Sequence, residues 1–148
     1  FESDEWCEFS SKVQACCDMF GPVDFVKLIE DDEQEMRTNP DFRWKTLEET
    51  HAGAVMGGDM ATIKERCKQF CPPYILTTDM SPMMILHGDC DKLVSCSISE
   101  DFYDKIVECG MDDRTEFYIL NGAGHGTKEF FQPETKKLIE KFFDKYLK

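Results

Sequence analysis

The chain has 148 residues, 41% hydrophobic and 12% aromatic, which suits one globular domain, or part of one, with a buried core. The 30 acidic residues outnumber the 17 lysines and arginines, and the resulting net charge of −13 repels phosphate backbones and anionic membrane surfaces, so no nucleic-acid partner is expected. No run of about 18 uncharged apolar residues is present, so no membrane span is expected.

The first predicted strand is the largely apolar run from Lys12 to Phe20, which ends at a Gly-Pro pair. An insert of helices and loops is predicted over about residues 26–75, where the pattern is looser and an acidic run occupies positions 30–35. Within this insert, apolar residues at helical spacing predict a helix from about Asp59 to Phe70.

The second predicted strand is the short apolar run from Met83 to Leu86, which stops at a His-Gly pair. A helix is predicted to follow, with Ser97 and Glu100 as its capping box and Gly110 as its left-handed end.

The third predicted strand runs from Glu116 to Leu120, and Pro133 is predicted to open the last helix. The order is therefore strand, insert, strand, helix, strand, helix. Such alternation predicts an α/β fold of about three parallel strands with right-handed crossovers and helices on its faces.

Eight cysteines could indicate disulfides in a small secreted domain. However, their spacings show no disulfide framework, and Cys16 and Cys17 are adjacent, so their side chains would point to opposite faces of a strand. The first residues also lack the basic start and apolar stretch of a secretory signal. We therefore expect free thiols in a reducing compartment, which favours a cytoplasmic location.

Cys67 and Cys71 lie four residues apart and could place two thiolates on one helix face for a metal. They are also in register with Met60, Ile63 and Phe70, which instead predicts an apolar stripe facing a core. We expect neither a metal nor a cofactor.

Two short motifs carry the chemistry. Residues 87–91 are His-Gly-Asp-Cys-Asp and residues 122–126 are Gly-Ala-Gly-His-Gly, and each follows a predicted buried strand. Because the carboxyl ends of parallel strands meet at one sheet edge, Asp91 and His125 are expected to lie side by side. A carboxylate there can hold one imidazole nitrogen and aim the other at a nucleophile.

Each residue also has a purely structural interpretation. A histidine between glycines can be an exposed turn residue, and an aspartate after a strand often caps a turn or helix. The order of acid and then base at matching strand ends favours the catalytic interpretation of Asp91 and His125.

With these motifs the chain resembles the α/β-hydrolase esterases and lipases, especially those related to hormone-sensitive lipases, bacterial feruloyl or acetylxylan esterases, and prolyl-oligopeptidase-like enzymes. Residues 11–25 resemble the family's sixth strand and the loop after it. Residues 81–94 resemble the seventh strand and acid loop, residues 120–126 the histidine loop, and residues 142–147 the closing helix.

The resemblance implies that Asp91 is the acid and His125 the base of a Ser-His-Asp triad that hydrolyses small-molecule carboxylic esters. Asp89 is disfavoured because the family's acid occupies the later position of the motif. His87 is implied to be structural, and His51 has no counterpart in the family.

The family's nucleophile motif, G-x-S-x-G, is absent from the chain, as is the glycine-rich segment of the oxyanion hole. We therefore expect residues 1–148 to be the C-terminal portion of one α/β-hydrolase domain, inactive in isolation. The open sheet would favour self-association or pairing with the missing N-terminal half.

Three alternatives remain at this stage: a non-catalytic half-hydrolase that binds a partner, a prolyl-oligopeptidase-like peptidase, and a thiol enzyme that uses Cys90 or Cys96. The thiol enzyme ranks last because the charge of Asp91 would raise the pKa of the Cys90 thiol. Ser95 and Ser97 are poor nucleophiles because they lie beside the acid and Ser97 is assigned a capping role.

Overall fold

The computed structural model describes residues 8–148, in which three strands form one parallel sheet. Strand β1 is Cys16–Met19, β2 is Met83–Gly88 and β3 is Thr115–Leu120. The central strand is β2, with β1 on one side and β3 on the other. The predicted α/β class with three parallel strands is confirmed.

All three strands differ in length from their predictions, although β3 differs only by beginning one residue earlier, at Thr115. The first was predicted to begin at Lys12 but begins at Cys16, which is the residue that pairs with the first residue of β2. The backbone N–H of Cys16 donates to the carbonyl of Pro82 at 2.9 Å, so β1 starts where a hydrogen-bonding partner becomes available. Strand β2 continues through His87 and Gly88 because both residues pair with β3.

Helices cover both faces of the sheet. Helix α5 (Cys96–Glu108) connects β2 to β3, and α6 (Pro133–Leu147) follows β3. Because side chains alternate along β2, Ile85 packs in the cluster that contains Phe102 of α5, whereas Met84 packs on the opposite face with Phe142 of α6.

The region between β1 and β2 contains four helices with a core of their own. These are α1 (Phe25–Thr38), α2 (His51–Met56), α3 (Ile63–Cys67) and α4 (Pro72–Ile75). Their shared core contains Val26, Ile29, Ala52, Ile63, Cys67 and Cys71. Leu28 on α1 joins a second cluster with Val94 and Ile98, which holds the region against the segment after β2.

The predicted helix from Asp59 to Phe70 is shorter than expected. A 3-10 turn at Met60–Thr62 precedes α3, and the predicted apolar stripe does face the core. The Asp59 carboxylate accepts a hydrogen bond from Ala61 N, which favours a separate first turn.

The predicted capping box of α5 is wrong. Its N-cap is Ser95, whose Oγ accepts from the N–H of Ser97, and Ser97 lies inside the first turn. The helix begins two residues earlier than predicted because Ser95 is the residue with non-helical backbone just before Cys96. Gly110 has a φ of 72°, which agrees with its predicted left-handed conformation.

Seven cysteines in residues 8–148 are free thiols, and Cys7 lies outside the described residues. Within the same part of the chain, no helix combines the length and apolar character needed to cross a membrane.

Candidate active site

The loops after β2 and β3 bring Asp91 and His125 together. Nδ1 of His125 lies 2.9 Å from Oδ2 of Asp91. The Asp91 side chain is 0% exposed, whereas that of His125 is 33% exposed. A buried carboxylate therefore supports an imidazole that remains accessible from solvent.

Asp91 is surrounded by hydrogen-bond donors. Its Oδ1 accepts from the backbone N–H groups of Leu93 at 2.8 Å and Val94 at 3.0 Å. Burial opposes its ionisation, but these two N–H groups and His125 outweigh burial and hold the pKa of Asp91 below its ordinary value. The carboxylate therefore carries its charge at neutral pH.

This contact sets the proton position on His125. An ionised carboxylate can only accept, so Nδ1 carries the proton and the lone pair of the neutral ring lies on Nε2. Within residues 8–148, no group forms a hydrogen bond with Nε2. The arrangement can therefore act as a general base toward a group that approaches from outside this pair.

The two loops interlock through backbone contacts. The N–H of Cys90 donates to the carbonyl of Ala123 at 2.9 Å, and the N–H of Gly122 donates to Oδ1 of Asp89 at 2.6 Å. A Cβ at Gly88 would lie 2.2 Å from the Ala123 oxygen, so this position requires glycine because the loops approach closely. Asp89 thus connects the two loops and forms no hydrogen bond with His125.

His87 lies beneath the pair and is fully buried. Its Nε2 is 3.0 Å from the Val94 carbonyl and 3.4 Å from Oδ2 of Asp91, and its Nδ1 is 2.7 Å from Oγ of Ser99. A carbonyl can only accept, so Nε2 carries a proton, and in the neutral ring Nδ1 accepts from Ser99. These contacts fit the structural role implied by the resemblance.

Phe20 is a site neighbour that the sequence did not single out. It is the one non-glycine residue in residues 8–148 with positive φ, at 49°. Its ring meets His125 edge-on at a centroid distance of 4.7 Å and meets Phe130 at the same distance. This left-handed backbone is costly for an aromatic residue, and here it places a ring against the candidate base.

A pocket of about 530 Å³ adjoins His125. One wall comes from the loops after β2 and β3 and the other from the region between β1 and β2, including Asp32, Arg43 and Trp44. Sequence reasoning placed Asp32 in an acidic run, which is typical of an exposed helix face, and therefore missed it. His51 supports this wall, with its Nε2 3.3 Å from Nη2 of Arg43 and its ring 4.8 Å from that of Trp44.

The candidate thiols are poorly suited to nucleophilic attack. A side-chain hydrogen bond and the negative charge of Asp89 raise the pKa of the Cys90 thiol, so the predicted direction is right but the predicted source, Asp91, is wrong. Burial, followed by the charge of Glu100, raises the pKa of Cys96 to about 11.

The hydroxyls near the acid are engaged elsewhere. Oγ of Ser95 and Oγ of Ser97 lie 2.9 Å apart, and Oγ of Ser99 is bonded to His87. Within the described part of the chain, no group of three or more metal-ligating side chains is placed to hold an ion.

Parallel strands with helices on both faces, and an acid and a histidine on loops at the strands' carboxyl ends, define an α/β-hydrolase fold. The BD-FAE family model matches residues 2–106, which is more than half of the sequence. The chain therefore belongs to the BD-FAE family, an α/β-hydrolase-like esterase family, as the resemblance implied. Asp91 lies inside the matched range and His125 lies beyond it.

Solved structures share the fold. A protein described as a truncated form of a carbohydrate esterase from gut microbiota has a TM-score of 0.64 at 19% identity, over 95% of this chain and 45% of its own. The propionate-bound esterase Est2 from the Planctomycetes species Thermogutta terrifontis has a TM-score of 0.50 at 23% identity, over 57% of this chain and 34% of its own. The chain thus spans less than half of either relative. No curated protein matches it.

Proposed function

We propose that the protein hydrolyses carboxylic esters with a Ser-His-Asp triad in which Asp91 is the acid and His125 the general base. The observation that carries this proposal is the 2.9 Å contact between Nδ1 of His125 and a fully buried Asp91 carboxylate. The nucleophile is a serine contributed by sequence upstream of residue 1.

In this mechanism, Nε2 of His125 removes the serine proton as the serine oxygen bonds to the ester carbonyl carbon. Asp91 stabilises the imidazolium that results. Collapse of the tetrahedral intermediate breaks the bond to the alcohol oxygen, and His125 returns the proton to that oxygen as the alcohol leaves. Water then attacks the acyl-enzyme with His125 again as base, which releases the carboxylic acid and restores the serine.

The proposal includes a structural partner for the sheet. Within residues 8–148, no strand pairs with the second edge of β1. We propose that the upstream half of the same protein pairs with this edge and places its serine near Nε2 of His125, or that a second copy occupies the edge when the upstream half is missing.

The test compares residues 1–148 with the longer natural protein on p-nitrophenyl acetate. We expect the longer protein to hydrolyse the ester and His125→Ala to abolish hydrolysis, whereas residues 1–148 should show only background. Because the exposed Cys90 thiol can react with this activated ester, both proteins are also measured as Cys90→Ser variants.

Two outcomes would contradict the proposal. The first is a longer protein without a G-x-S-x-G segment or without His125-dependent hydrolysis. The second is hydrolysis by residues 1–148 that persists in Cys90→Ser and disappears in His125→Ala, which would place the nucleophile inside this chain.

A further inference from the structure

Phe20, the residue directly after β1, has a backbone conformation that is costly for its side chain. Its φ of 49° lies in the left-handed region, where no other non-glycine residue of residues 8–148 is found. The conformation is disfavoured for a bulky residue because its Cβ comes close to the backbone. Residues held in this way persist only where the surrounding structure over-determines them, and they cluster at functional sites.

The ring of Phe20 is fixed by contacts that do not involve the His125 side chain. The backbone N–H of Phe20 donates to the Leu86 carbonyl at 2.8 Å, which anchors the residue to β2. The ring meets the buried ring of Phe130 at a centroid distance of 4.7 Å and an angle of 78°. A Cβ at Gly126 would lie 3.5 Å from Cζ of Phe20, so the ring also lies close to the histidine loop.

His125 needs more than its hydrogen bond to Asp91 to keep one orientation. The bond between Nδ1 and Oδ2, at 2.9 Å, fixes one atom of the ring. Rotation about χ2 of histidine has only broad preferences, so the ring can pivot about Nδ1 and displace Nε2. The ring of Phe20 limits this rotation from one side, through an edge-on contact with a centroid distance of 4.7 Å and an interplanar angle of 62°.

We propose that Phe20 is a positioning residue whose ring keeps the imidazole of His125 in the orientation that directs Nε2 toward the nucleophile. The left-handed backbone turns the ring of Phe20 toward the histidine loop. Phe20 takes no part in the chemical steps, and its importance for hydrolysis rests on the proposed function. Its effect on the imidazole does not, because both side chains belong to the part of the chain described above.

The orientation of His125 is tested on residues 1–148 with nitrogen-15-labelled histidine, at a pH where the rings are neutral. Couplings between ring protons and ring nitrogens report which nitrogen carries the proton, and His125→Ala identifies the His125 signals. We expect the wild type to carry the proton on Nδ1. Phe20→Leu should raise the fraction with the proton on Nε2 several-fold, because a mobile ring leaves Asp91 part of the time.

The matched control is Phe117→Leu. Phe117 is a half-buried phenylalanine on β3 whose ring packs against Tyr103 at a centroid distance of 5.3 Å, so the change removes the same atoms elsewhere in the sheet. The buried His87 is an internal control, since unchanged His87 signals show that the acid loop is intact. No change at His125 in Phe20→Leu, or an equal change in Phe117→Leu, would overturn the proposal.

A second variant covers the case in which Phe20→Leu also alters the His87 signals. Phe20→Met has a flexible side chain that can fill the same space without a ring. We expect it to change the His125 signals and leave those of His87 in place. Altered His87 signals in both variants would mean that Phe20 maintains the whole site, and the specific role toward the imidazole would be wrong.

The backbone of Phe20 is tested by comparing urea midpoints of Phe20→Gly and Phe20→Ala. Glycine adopts a positive φ without steric cost, so Phe20→Gly should have the higher midpoint. The order should reverse at Phe117, which lies in an extended strand. A midpoint for Phe20→Gly equal to or below that of Phe20→Ala would contradict the backbone conformation that places the ring.

The consequence for hydrolysis is measured on the longer protein with p-nitrophenyl acetate, with Cys90→Ser in every variant. We expect Phe20→Leu to lower kcat about tenfold with little change in KM, because Nε2 is misdirected while the substrate contacts remain. Phe117→Leu should retain both constants. An unchanged kcat in Phe20→Leu would overturn the role in hydrolysis. If the longer protein shows no hydrolysis, the proposed function fails, and the histidine measurement still decides whether Phe20 orients His125.

Discussion

Asp91 is buried and yet remains charged, because donors reach both of its oxygens. Two backbone N–H groups donate to Oδ1. Oδ2 therefore remains free to accept from Nδ1 of His125, which orients the ring and keeps the proton on Nδ1. In the proposed mechanism, Asp91 positions His125, and this role requires an acceptor at Oδ2.

Asp91→Asn should therefore remove most of the activity of the longer protein while leaving its fold intact. The amide can present an N–H where the carboxylate accepts, which would favour the imidazole with its proton on the wrong nitrogen. We expect kcat on p-nitrophenyl acetate to fall about 10⁴-fold. Asp101→Asn on the exposed face of α5 should retain full activity, and equal losses in the two variants would contradict this role.

Asp89 should control the reactivity of the neighbouring thiol. Since Asp89 raises the pKa of Cys90 and Lys92 lowers it, Asp89→Asn should lower that pKa and Lys92→Gln should raise it. The rate of alkylation by iodoacetamide against pH measures both shifts. A curve that does not move in Asp89→Asn would exclude Asp89 as the cause.

Individual residues differ in how far the sequence could predict them. Asp91 and His125 were predictable as neighbours because each follows a strand with a glycine-containing motif. The conformation of Phe20 was not, since a positive φ at an aromatic residue has no sequence signature. The burial of Asp32 was not either, because its neighbours in sequence are acidic and the pocket that it lines is shared with distant segments.

At the scale of elements, α1 depends on one residue at its start. Oδ1 of Asp24 accepts from the N–H groups of Val26 and Lys27, and Oδ2 accepts from the hydroxyl of Tyr74 at 3.1 Å. Asp24 therefore caps α1 and ties it to α4.

We expect Asp24→Ala to lower the free energy of unfolding by about 1–2 kcal/mol and Tyr74→Phe to lower it by about 1 kcal/mol. Urea denaturation of both single variants and of the double variant measures this. The double variant should lose less than the sum, because both changes remove the same hydrogen bond. Strict additivity would show that the Tyr74 contact contributes nothing.

Asp32 on α1 should also make the free energy of unfolding depend on pH. Burial, and to a lesser extent Asp31, raises the pKa of Asp32 to about 6, although Arg43 opposes the shift. The folded protein therefore holds a proton that the unfolded chain releases near pH 4. The stability contributed by the neutral carboxyl is present below about pH 4 and is lost as the pH rises through 6.

Asp32→Asn should consequently be more stable than the wild type at pH 8, by at most about 3 kcal/mol, with a much smaller difference at pH 4. Urea denaturation at the two pH values measures the change. Asp31→Asn is the comparison variant and should show a much smaller gain, because Asp31 is only a minor cause of the shift. A difference that is independent of pH would mean that Asp32 ionises normally.

The existence of the elements was predictable, but their ends were less so. Apolar runs located all three strands, and Pro133 located the start of α6. The start of β1 depends on where β2 offers a partner, and the start of α5 depends on backbone conformation at Ser95. Neither property is visible in hydrophobic periodicity.

At the scale of the whole molecule, the second edge of β1 is the most consequential surface. The N–H groups of Cys16 and Phe20 donate toward β2, to Pro82 and Leu86. Because donors alternate along a strand in a parallel ladder, the N–H groups of Cys17 and Met19 face the opposite edge. They are available to another strand.

We expect residues 1–148 to self-associate with increasing concentration and Cys17→Pro to reduce this association. Proline removes the outward N–H but leaves the bonds from β1 to β2 in place. Sedimentation velocity under reducing conditions is the measurement, and Cys17→Val, which keeps the N–H, is the control. A wild-type chain that stays monomeric at all concentrations would argue against association through the second edge of β1.

The order of strands and helices let the sequence predict the architecture, since alternation permits few arrangements. The packing of the region before β2 against the segment after β2 could not be predicted from the sequence. The pocket is lined by residues far apart in sequence, such as Asp32 and His125.

The interlocked loops have a consequence for protein engineering. Asp91 and His125 are 34 positions apart, and backbone hydrogen bonds within this short stretch hold their two loops together. Under the proposed mechanism, a break in the chain before β1 separates the upstream serine from an acid–histidine pair that is already assembled. Two such pieces, each fused to one member of an interacting pair, would form a split reporter whose ester hydrolysis signals that the pair has met.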